Sequence, residues 1–299
     1  MIQIALLIIT LLAVAYAIYT DIKFRYIDVW LCWSLLGIGL LGNGILSLVR
    51  SDAKYIIFSI SGAAIFYAIS LARYYLGELG GGDARFFAAL AAAVPLYPSK
   101  LLAFLSPKLA VWPFLVTLFL NILLLGIGYQ LFYLLMRALT RWKRFSHAFR
   151  RFYHKYRLAF IAGLGLLLLP LLAIFLGRIP IMIASALVGF YWFVLLLYAF
   201  SVSVEAVMIF EARPSDPRIE EGDKPVKEIR VDGKLVYKPK RTGLSTEDLR
   251  RLRALENLGK IGKLTFKEGV PYAPAFLIGL LFSILFGDLL VVIAQALIQ

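Results

Sequence analysis

Long apolar stretches separated by short polar segments run along almost the whole chain. A helix needs about 20 apolar residues to cross a bilayer. The pattern therefore predicts membrane spans at residues 2–20, 30–49, 55–76, 109–136, 158–177, 180–210 and 272–297. An eighth apolar run, 84–105, is interrupted by Pro95, Pro98 and Lys100, and we expect it to cross as a short helix over 84–98. The predicted fold is an all-α polytopic membrane protein with about eight transmembrane helices.

The one sizeable polar region, residues 211–270, carries the pattern of a small folded unit. Between Lys227 and Tyr237 polar and apolar residues alternate around Asp232-Gly233. This dipeptide is a strong hairpin signal, because both positions of the turn need a positive φ.

A helix is predicted after this hairpin. Ser245 is placed as its N-cap with Asp248 three residues later, and Gly259 marks its end. Four leucines lie on one face: Leu249, Leu252, Leu255 and Leu258. We interpret residues 211–270 as a cytoplasmic α+β insert. It is either a connector packed against the helix ends or a docking platform for the head of a substrate.

These elements divide the chain into five segments. They are a membrane core (1–136), a basic loop (137–157), two further membrane helices (158–210), the insert (211–270) and the final membrane helix (271–299). The basic loop is also rich in aromatic residues, which favours contact with anionic membrane lipid.

Composition supports a membrane protein and argues against bound metal. The chain is 61% apolar and 17% charged, with a mean hydropathy of +0.83, outside the range of soluble domains. A single cysteine, Cys32, offers no disulfide partner, and the two histidines, His147 and His154, lie in a basic stretch. We therefore expect neither a metal site nor a cofactor.

The net charge of +14 reports the orientation of the chain in the membrane. With eight crossings and an outer N-terminus, 27 of the 32 Lys and Arg residues face the cytoplasm, as the positive-inside rule requires. Both termini are then expected outside, and nucleic-acid binding is not expected. Residues 1–20 are interpreted as a retained span, because no Lys or Arg precedes them as in a signal peptide.

Two aspartates lie at the same cytoplasmic level in this arrangement. Asp21 closes the first span, and Asp83 opens the fourth. Two close carboxylates do not both ionise readily, which is the arrangement that lets acids activate water against an amide. Asp83 has an alternative role as the N-cap of a helix beginning at Ala84. Asp21 has an alternative in a salt bridge to Arg25, although a carboxylate is unfavourable at a helix C-terminus.

Three glycines, Gly80, Gly81 and Gly82, precede Asp83. We expect them to allow unusual backbone conformations, to end the preceding helix and to leave room for an extended peptide. A tight loop between helices is the alternative, and Gly77 fits it equally well.

These residues resemble the GxGD aspartic peptidases that process prepilins and archaeal preflagellins. Asp21 followed by Ile27 is similar to the helix-1 motif of that family, and Gly80 to Asp83 is similar to its GxGD motif. Residues 269–276, with Pro271 and Pro274, resemble the start of the family's final helix. The resemblance implies that Asp21 and Asp83 are the catalytic pair. It also implies that the three glycines and the two prolines shape the loops around the substrate, without metal or cofactor.

The resemblance also implies a substrate and a branch of the family. The substrate would be a preflagellin or prepilin whose charged leader stays in the cytoplasm. Bacterial members carry paired CxxC motifs and also N-methylate the product, so one cysteine indicates the archaeal branch with peptidase activity alone. The archaeal enzymes have six spans, whereas the pattern here predicts eight.

Three alternatives remain open. One is an intramembrane protease of the presenilin or signal-peptide-peptidase kind, which shares GxGD but carries its first aspartate later, in a Tyr-Asp setting. Another is a proton-coupled transporter, for which Glu205 and Asp288 are the available membrane acids. The third is a structural component of an assembly, which would tolerate loss of both aspartates.

Overall fold

A computed structural model describes the chain except for residues 78, 169, 171–180, 217, 218, 220, 241 and 299. The described chain divides into two compact units, one formed by Met1–Phe132 with Glu211–Gln299 and one formed by Tyr133–Phe210.

The first unit begins with the helices of the membrane core. They are α1 (Ile2–Phe24), α2 (Val29–Arg50), α3 (Lys54–Tyr75), α4 (Gly81–Ala93) and α5 (Ser99–Leu105), followed by α6 (Phe114–Thr140), which continues into the second unit. Of these, α1, α2, α3 and α6 are long and apolar enough to cross a membrane. The spans predicted at 2–20, 30–49, 55–76 and 109–136 are therefore confirmed as apolar helices, and the chain is a multi-pass membrane protein.

Helix α4 is short and lies almost entirely inside the protein. Every residue from Phe86 to Ala93 is buried. Gly39 of α2 permits close approach, since a Cβ there would lie 2.7 Å from the Cα of Ala93. The side chain of Asn43 donates to the Ala92 carbonyl at 3.0 Å, and the Ser59 hydroxyl of α3 donates to the same carbonyl at 2.6 Å. Backbone groups at membrane depth need such protein partners, and here they complete the end of a helix that has only 13 residues.

The predicted final span at 272–297 is two helices in the structure. Helix α11 (Ala273–Leu285) and helix α12 (Leu289–Ile298) are separated by a break. At the break the Asn121 side chain donates to the Gly287 carbonyl at 2.7 Å and accepts from the Leu289 N–H at 3.0 Å. Hydropathy alone could not reveal this break, because the residues that satisfy it come from α6.

The insert forms the predicted hairpin and helix. Strands β3 (Ile229–Val231) and β4 (Lys234–Tyr237) are antiparallel, and Asp232 and Gly233 have φ of 50° and 77° in the turn. Helix α10 (Thr246–Asn257) has Ser245 as N-cap and is followed by Gly259 at φ 68°. Three further strands, β1 (Ile209–Ala212), β2 (Lys224–Pro225) and β5 (Leu264–Lys267), form a second sheet in the order β1-β5-β2.

Of the four predicted face leucines of α10, Leu249 and Leu252 are buried, whereas Leu258 is 70% exposed. The end of the apolar face was therefore predicted too late. Leu258 follows the last helical residue, and the chain turns there towards Gly259.

The second unit contains α7 (Trp142–Lys155), α8 (Arg157–Leu166) and α9 (Ile181–Val207). Residues 185–207 form a fifth candidate span, in agreement with the run predicted at 180–210. Residues 169 and 171–177 of the run predicted at 158–177 lie outside the described residues. Aromatic side chains of α7 pack on α9, with ring centroids 5.9 Å apart for Phe145 and Phe200.

Candidate active site

Asp21 lies in the last turn of α1, and its side chain is buried against the start of α11. The residue is only 6% exposed, and its Oδ2 accepts a hydrogen bond from the Ala273 N–H at 2.8 Å. Ala273 is the first residue of α11. A helix N-terminus favours negative charge, so α11 offsets the unfavourable position of a carboxylate at the C-terminus of α1.

Within the described part of the chain, Asp21 and Arg25 do not form the salt bridge that was the alternative role of Asp21. Arg25 ends α1 in a left-handed conformation with φ 70°. Its Nη2 instead forms an ion pair with Glu268 of the insert at 2.6 Å. The Arg25 charge still acts on Asp21 electrostatically. Helix stability at the end of α1 therefore does not depend on pairing these two side chains.

Asp83 lies in the first turn of α4. The helix begins at Gly81 rather than at Ala84, and its N-cap is Gly80, so the alternative prediction of Asp83 as N-cap is wrong. The Asp83 Oδ2 accepts from the Gly80 N–H at 3.1 Å, which closes the first turn from within. The side chain is half-buried, so it remains within reach of a molecule outside the protein.

The structure brings the two carboxylates together. Asp21 and Asp83 are close enough for their charges to interact, and Arg73 also acts on Asp83. Like charges in a low-dielectric region repel strongly, so the pair is most stable when it holds one proton. A carboxyl and a carboxylate side by side can donate and accept protons at one point, as acid–base catalysis requires.

The two sequence motifs also touch through their backbones. Ile27 is buried, and a Cβ on Gly82 would lie 3.1 Å from the Ile27 carbonyl oxygen and 3.3 Å from the Ile27 nitrogen. Glycine at position 82 therefore lets the start of α4 lie directly on the segment that follows Asp21. This contact joins the start of α4, which carries Asp83, to the segment that follows Asp21 at the end of α1.

The conformational role predicted for the glycine run is wrong. Gly80 has a φ of −74°, and neither Gly81 nor Gly82 has a positive φ, because both already belong to α4. The left-handed glycine is Gly77, with a φ of 78° just after α3. Gly77 ends the preceding helix, while the run provides space: Gly80 is exposed and Gly82 is in close contact with Ile27.

The two predicted prolines flank the residue that donates to Asp21. Pro271 is buried two residues before Ala273, and Pro274 lies in the first turn of α11. Proline is favoured at this point of a helix because its missing N–H has no partner to lose there. Both prolines thus lie within two residues of the N–H that binds the Asp21 carboxylate.

Two residues at this site were missed by the sequence prediction. Lys224 of β2 donates from Nζ to the Gly77 carbonyl at 2.8 Å, and Glu268 holds Arg25. Both belong to the insert. No signal in the sequence distinguishes them from its other charged residues, because their partners lie more than 140 positions away along the chain.

No group of three or more His, Cys, Asp or Glu side chains that could hold a metal ion is found among the described residues.

Comparison with known proteins finds a similarity to one peptidase family. Residues 7–131 match the model of the type IV leader peptidase family, and this range includes Asp21, Asp83 and all of α2, α3 and α4. Prepilin peptidase EppA of Methanothermobacter thermautotrophicus is 25% identical over 369 aligned positions, which cover 95% of each chain.

A preflagellin peptidase of Methanocaldococcus jannaschii is 35% identical over 77 residues, covering 26% of this chain and 32% of that protein. No solved structure matches. Both motifs lie in the region that matches the family model, and the similarity to a prepilin peptidase extends over nearly the whole chain. The region that carries both aspartates is therefore similar to the type IV leader peptidase family.

Proposed function

We propose that this membrane peptidase is an aspartic endopeptidase that uses Asp21 and Asp83 as its catalytic pair. The observation that carries the proposal is the placement of these two side chains within electrostatic range of each other, on two different helices. Burial of two neighbouring carboxylates is costly, although the charges of Arg25 and Arg73 act on them. Function is the best reason for keeping both.

The pair supplies both halves of an acid–base reaction. The ionised carboxylate takes a proton from a water molecule as the water oxygen attacks the peptide carbonyl carbon. The protonated carboxyl donates its proton to the carbonyl oxygen. When the gem-diol intermediate collapses, the ionised member of the pair takes a proton from one of its hydroxyls. The C–N bond breaks and the leaving nitrogen receives the proton of the other member, so the pair again holds one proton. No other group is needed to balance this hydrolysis.

The substrate we propose is a preflagellin or a type IV prepilin-like protein. The relatives are named as peptidases of these two precursors. If the N-terminus faces outward, Asp21 and Asp83 lie at the cytoplasmic boundary, where a short charged leader would leave the membrane. The exposed Gly80 and half-buried Asp83 give an extended peptide access to the pair. We propose cleavage of the leader alone, without N-methylation.

A transporter role is disfavoured by the surroundings of Asp288. Its Oδ2 accepts from the Trp112 indole N–H at 2.9 Å and the Thr117 hydroxyl at 3.0 Å. Its Oδ1 accepts from the Leu290 N–H at 2.9 Å. These bonds fix the carboxylate as the cap of α12, which is a structural role.

The test is cleavage of a preflagellin and a prepilin, each with its leader, by membranes containing Asp21→Asn or Asp83→Asn. We expect each variant to lower kcat by at least about a thousandfold, because either half of the pair is then missing. Asp52→Asn is the matched control, since it removes a surface carboxylate that pairs with Lys54 at 2.6 Å. Full activity in either site variant would exclude the pair.

A further inference from the structure

The insert contacts both halves of the site through one pair of strands. Strands β2 and β5 are antiparallel, with Lys224 opposite Lys267 and Pro225 opposite Phe266. Glu268 follows β5 directly, so Lys224 and Glu268 lie at the same end of this short ladder. Phe266 is fully buried, which anchors the ladder within the insert.

The first contact holds the chain that leads to Asp83. The Lys224 ammonium donates to the Gly77 carbonyl at 2.8 Å, and Gly77 is the left-handed residue between α3 and the glycine run. Burial, and to a smaller extent the charge of Lys267, lowers the pKa of Lys224. Placing a lysine ammonium in this partly buried position costs desolvation energy, which indicates that its contact with Gly77 has a specific role.

The second contact holds the chain that follows Asp21. Glu268 pairs with Arg25 at 2.6 Å, and the side chains are 13% and 26% exposed. A partly buried pair of this kind fixes geometry better than a surface pair, because water competes less for the charges. From Glu268 the chain continues within five residues to Ala273, whose N–H binds Asp21.

We propose that Lys224 and Glu268 are positioning residues. Through the β2–β5 ladder they hold the loop before Asp83 (residues 77 and 79–80) and the end of α1 after Asp21 at a fixed distance from each other. This inference rests on the proposed function of the aspartate pair. The insert is thus part of the catalytic scaffold, in addition to being a connector. Neither residue acts on the substrate itself.

Position matters here because catalysis is sensitive to small displacements. A shift of about 1 Å in a catalytic group can lower the rate about a hundredfold. The two aspartates lie on different helices, so their separation depends on contacts that bridge α1 to α3 and α4. The ladder supplies two such bridges from one pair of strands.

The experiment compares Lys224→Met and Glu268→Gln with two matched variants from the same insert. The matched variants are Glu228→Gln and Lys260→Met, which remove exposed ion pairs to Arg230 and Asp232. With a preflagellin that carries its leader, we expect Lys224→Met and Glu268→Gln to lower kcat about tenfold or more with KM within about twofold. The matched variants should behave as the wild type.

Rescue separates positioning from general damage to the fold. Glu268→Asp should retain most of the kcat that Glu268→Gln loses, because it keeps a carboxylate opposite Arg25 and leaves the Arg25 charge near Asp21 unchanged. Unchanged kcat in both single variants would overturn the proposal. An increase in KM alone would also overturn it, because it would assign the insert to substrate docking.

A second measurement is independent of activity, so it remains informative if the proposed function fails. Backbone hydrogen exchange of residues 79–83 should be at least about tenfold faster in Lys224→Met than in Lys260→Met, because the loop loses its tether. Equal exchange in the two variants would overturn the proposal, whatever the substrate. If the wild type cleaves neither precursor but the loop still exchanges faster in Lys224→Met, only the proposed function is contradicted.

Discussion

At the scale of single residues, the absence of a side chain at Gly82 is as important to the site as the two carboxylates. The three glycines before Asp83 look equivalent in the sequence, but their surroundings differ. A Cβ on Gly82 would press on Ile27 backbone atoms at 3.1 and 3.3 Å, whereas a Cβ on Gly81 would meet only Tyr74 Cε2 at 3.7 Å. The first distance requires the backbone to move, and the second is an ordinary contact.

Gly82→Ala and Gly81→Ala therefore form a matched pair. Both glycines lie in the first turn of α4, so replacement by alanine raises helix propensity equally in the two variants. We expect Gly82→Ala to destabilise the protein by about 1–3 kcal/mol and to lower cleavage, because α4 is pushed away from the segment after Asp21. Gly81→Ala should keep its activity. Thermal unfolding in detergent and a cleavage assay measure both effects, and equal behaviour of the two variants would contradict the contact.

At the scale of elements, α4 shows how a helix of only 13 residues can be kept inside a membrane protein. Its aromatic residues pack on both sides, with the Phe87 ring 5.1 Å from Phe66 of α3 and 5.2 Å from Phe276 of α11. Near its C-terminus the Ala92 carbonyl accepts hydrogen bonds from both Asn43 and Ser59. The lipid contact predicted for the basic segment 137–157, most of which is α7, stays a prediction.

Ser59 and Ser61 allow this view of α4 to be tested on a single helix. The Ser59 hydroxyl binds a carbonyl of α4, whereas the Ser61 hydroxyl binds the Ile57 carbonyl of its own helix at 2.7 Å. We expect Ser59→Ala to cost about 1 kcal/mol of stability, because a buried bond between helices is lost. Ser61→Ala should have almost no effect. The two melting temperatures in detergent provide the comparison, and identical values would argue against a role of Ser59 in holding α4.

At the scale of the whole molecule, orientation in the membrane decides which face of the protein meets a leader peptide. The charge distribution predicts the insert inside the cell and the segment between α5 and α6 outside. Lys234 in the insert and Val111 between α5 and α6 are both exposed, so each can report the side on which it lies.

We expect single cysteines at these two positions, in a Cys32→Ala background, to react from opposite sides. Val111→Cys should be labelled in intact cells by a maleimide that does not cross membranes, whereas Lys234→Cys should be labelled only after permeabilisation. Cys32 is buried, and its removal leaves each new thiol as the single reactive group. The reverse pattern would place the aspartate pair on the outer face and exclude cytoplasmic cleavage.

What the sequence predicted well depends on neighbouring residues. The turn at Asp232-Gly233 and the capped start of α10 at Ser245 follow from backbone preferences over a few positions, and both are present. The start of α4 at Gly81 was missed, because the Asp83 carboxylate closes the turn by binding backwards to Gly80.

The features that the sequence could not predict depend on partners far away along the chain. The break before α12 requires the amide of Asn121 on α6, and the tether of Gly77 requires Lys224 in the insert. Hydropathy and periodicity describe one segment at a time, so they carry no information about such pairs.

The hydrogen bond from Ala273 to Asp21 joins the first helix to the second-last described helix of the chain. During synthesis, α1 through α4 leave the ribosome long before residue 273 is made. A nascent chain can therefore fold its two aspartates near each other without yet having the N–H donor that supports Asp21. The completed arrangement of the site therefore arises only after residue 273 has been made, later than either aspartate.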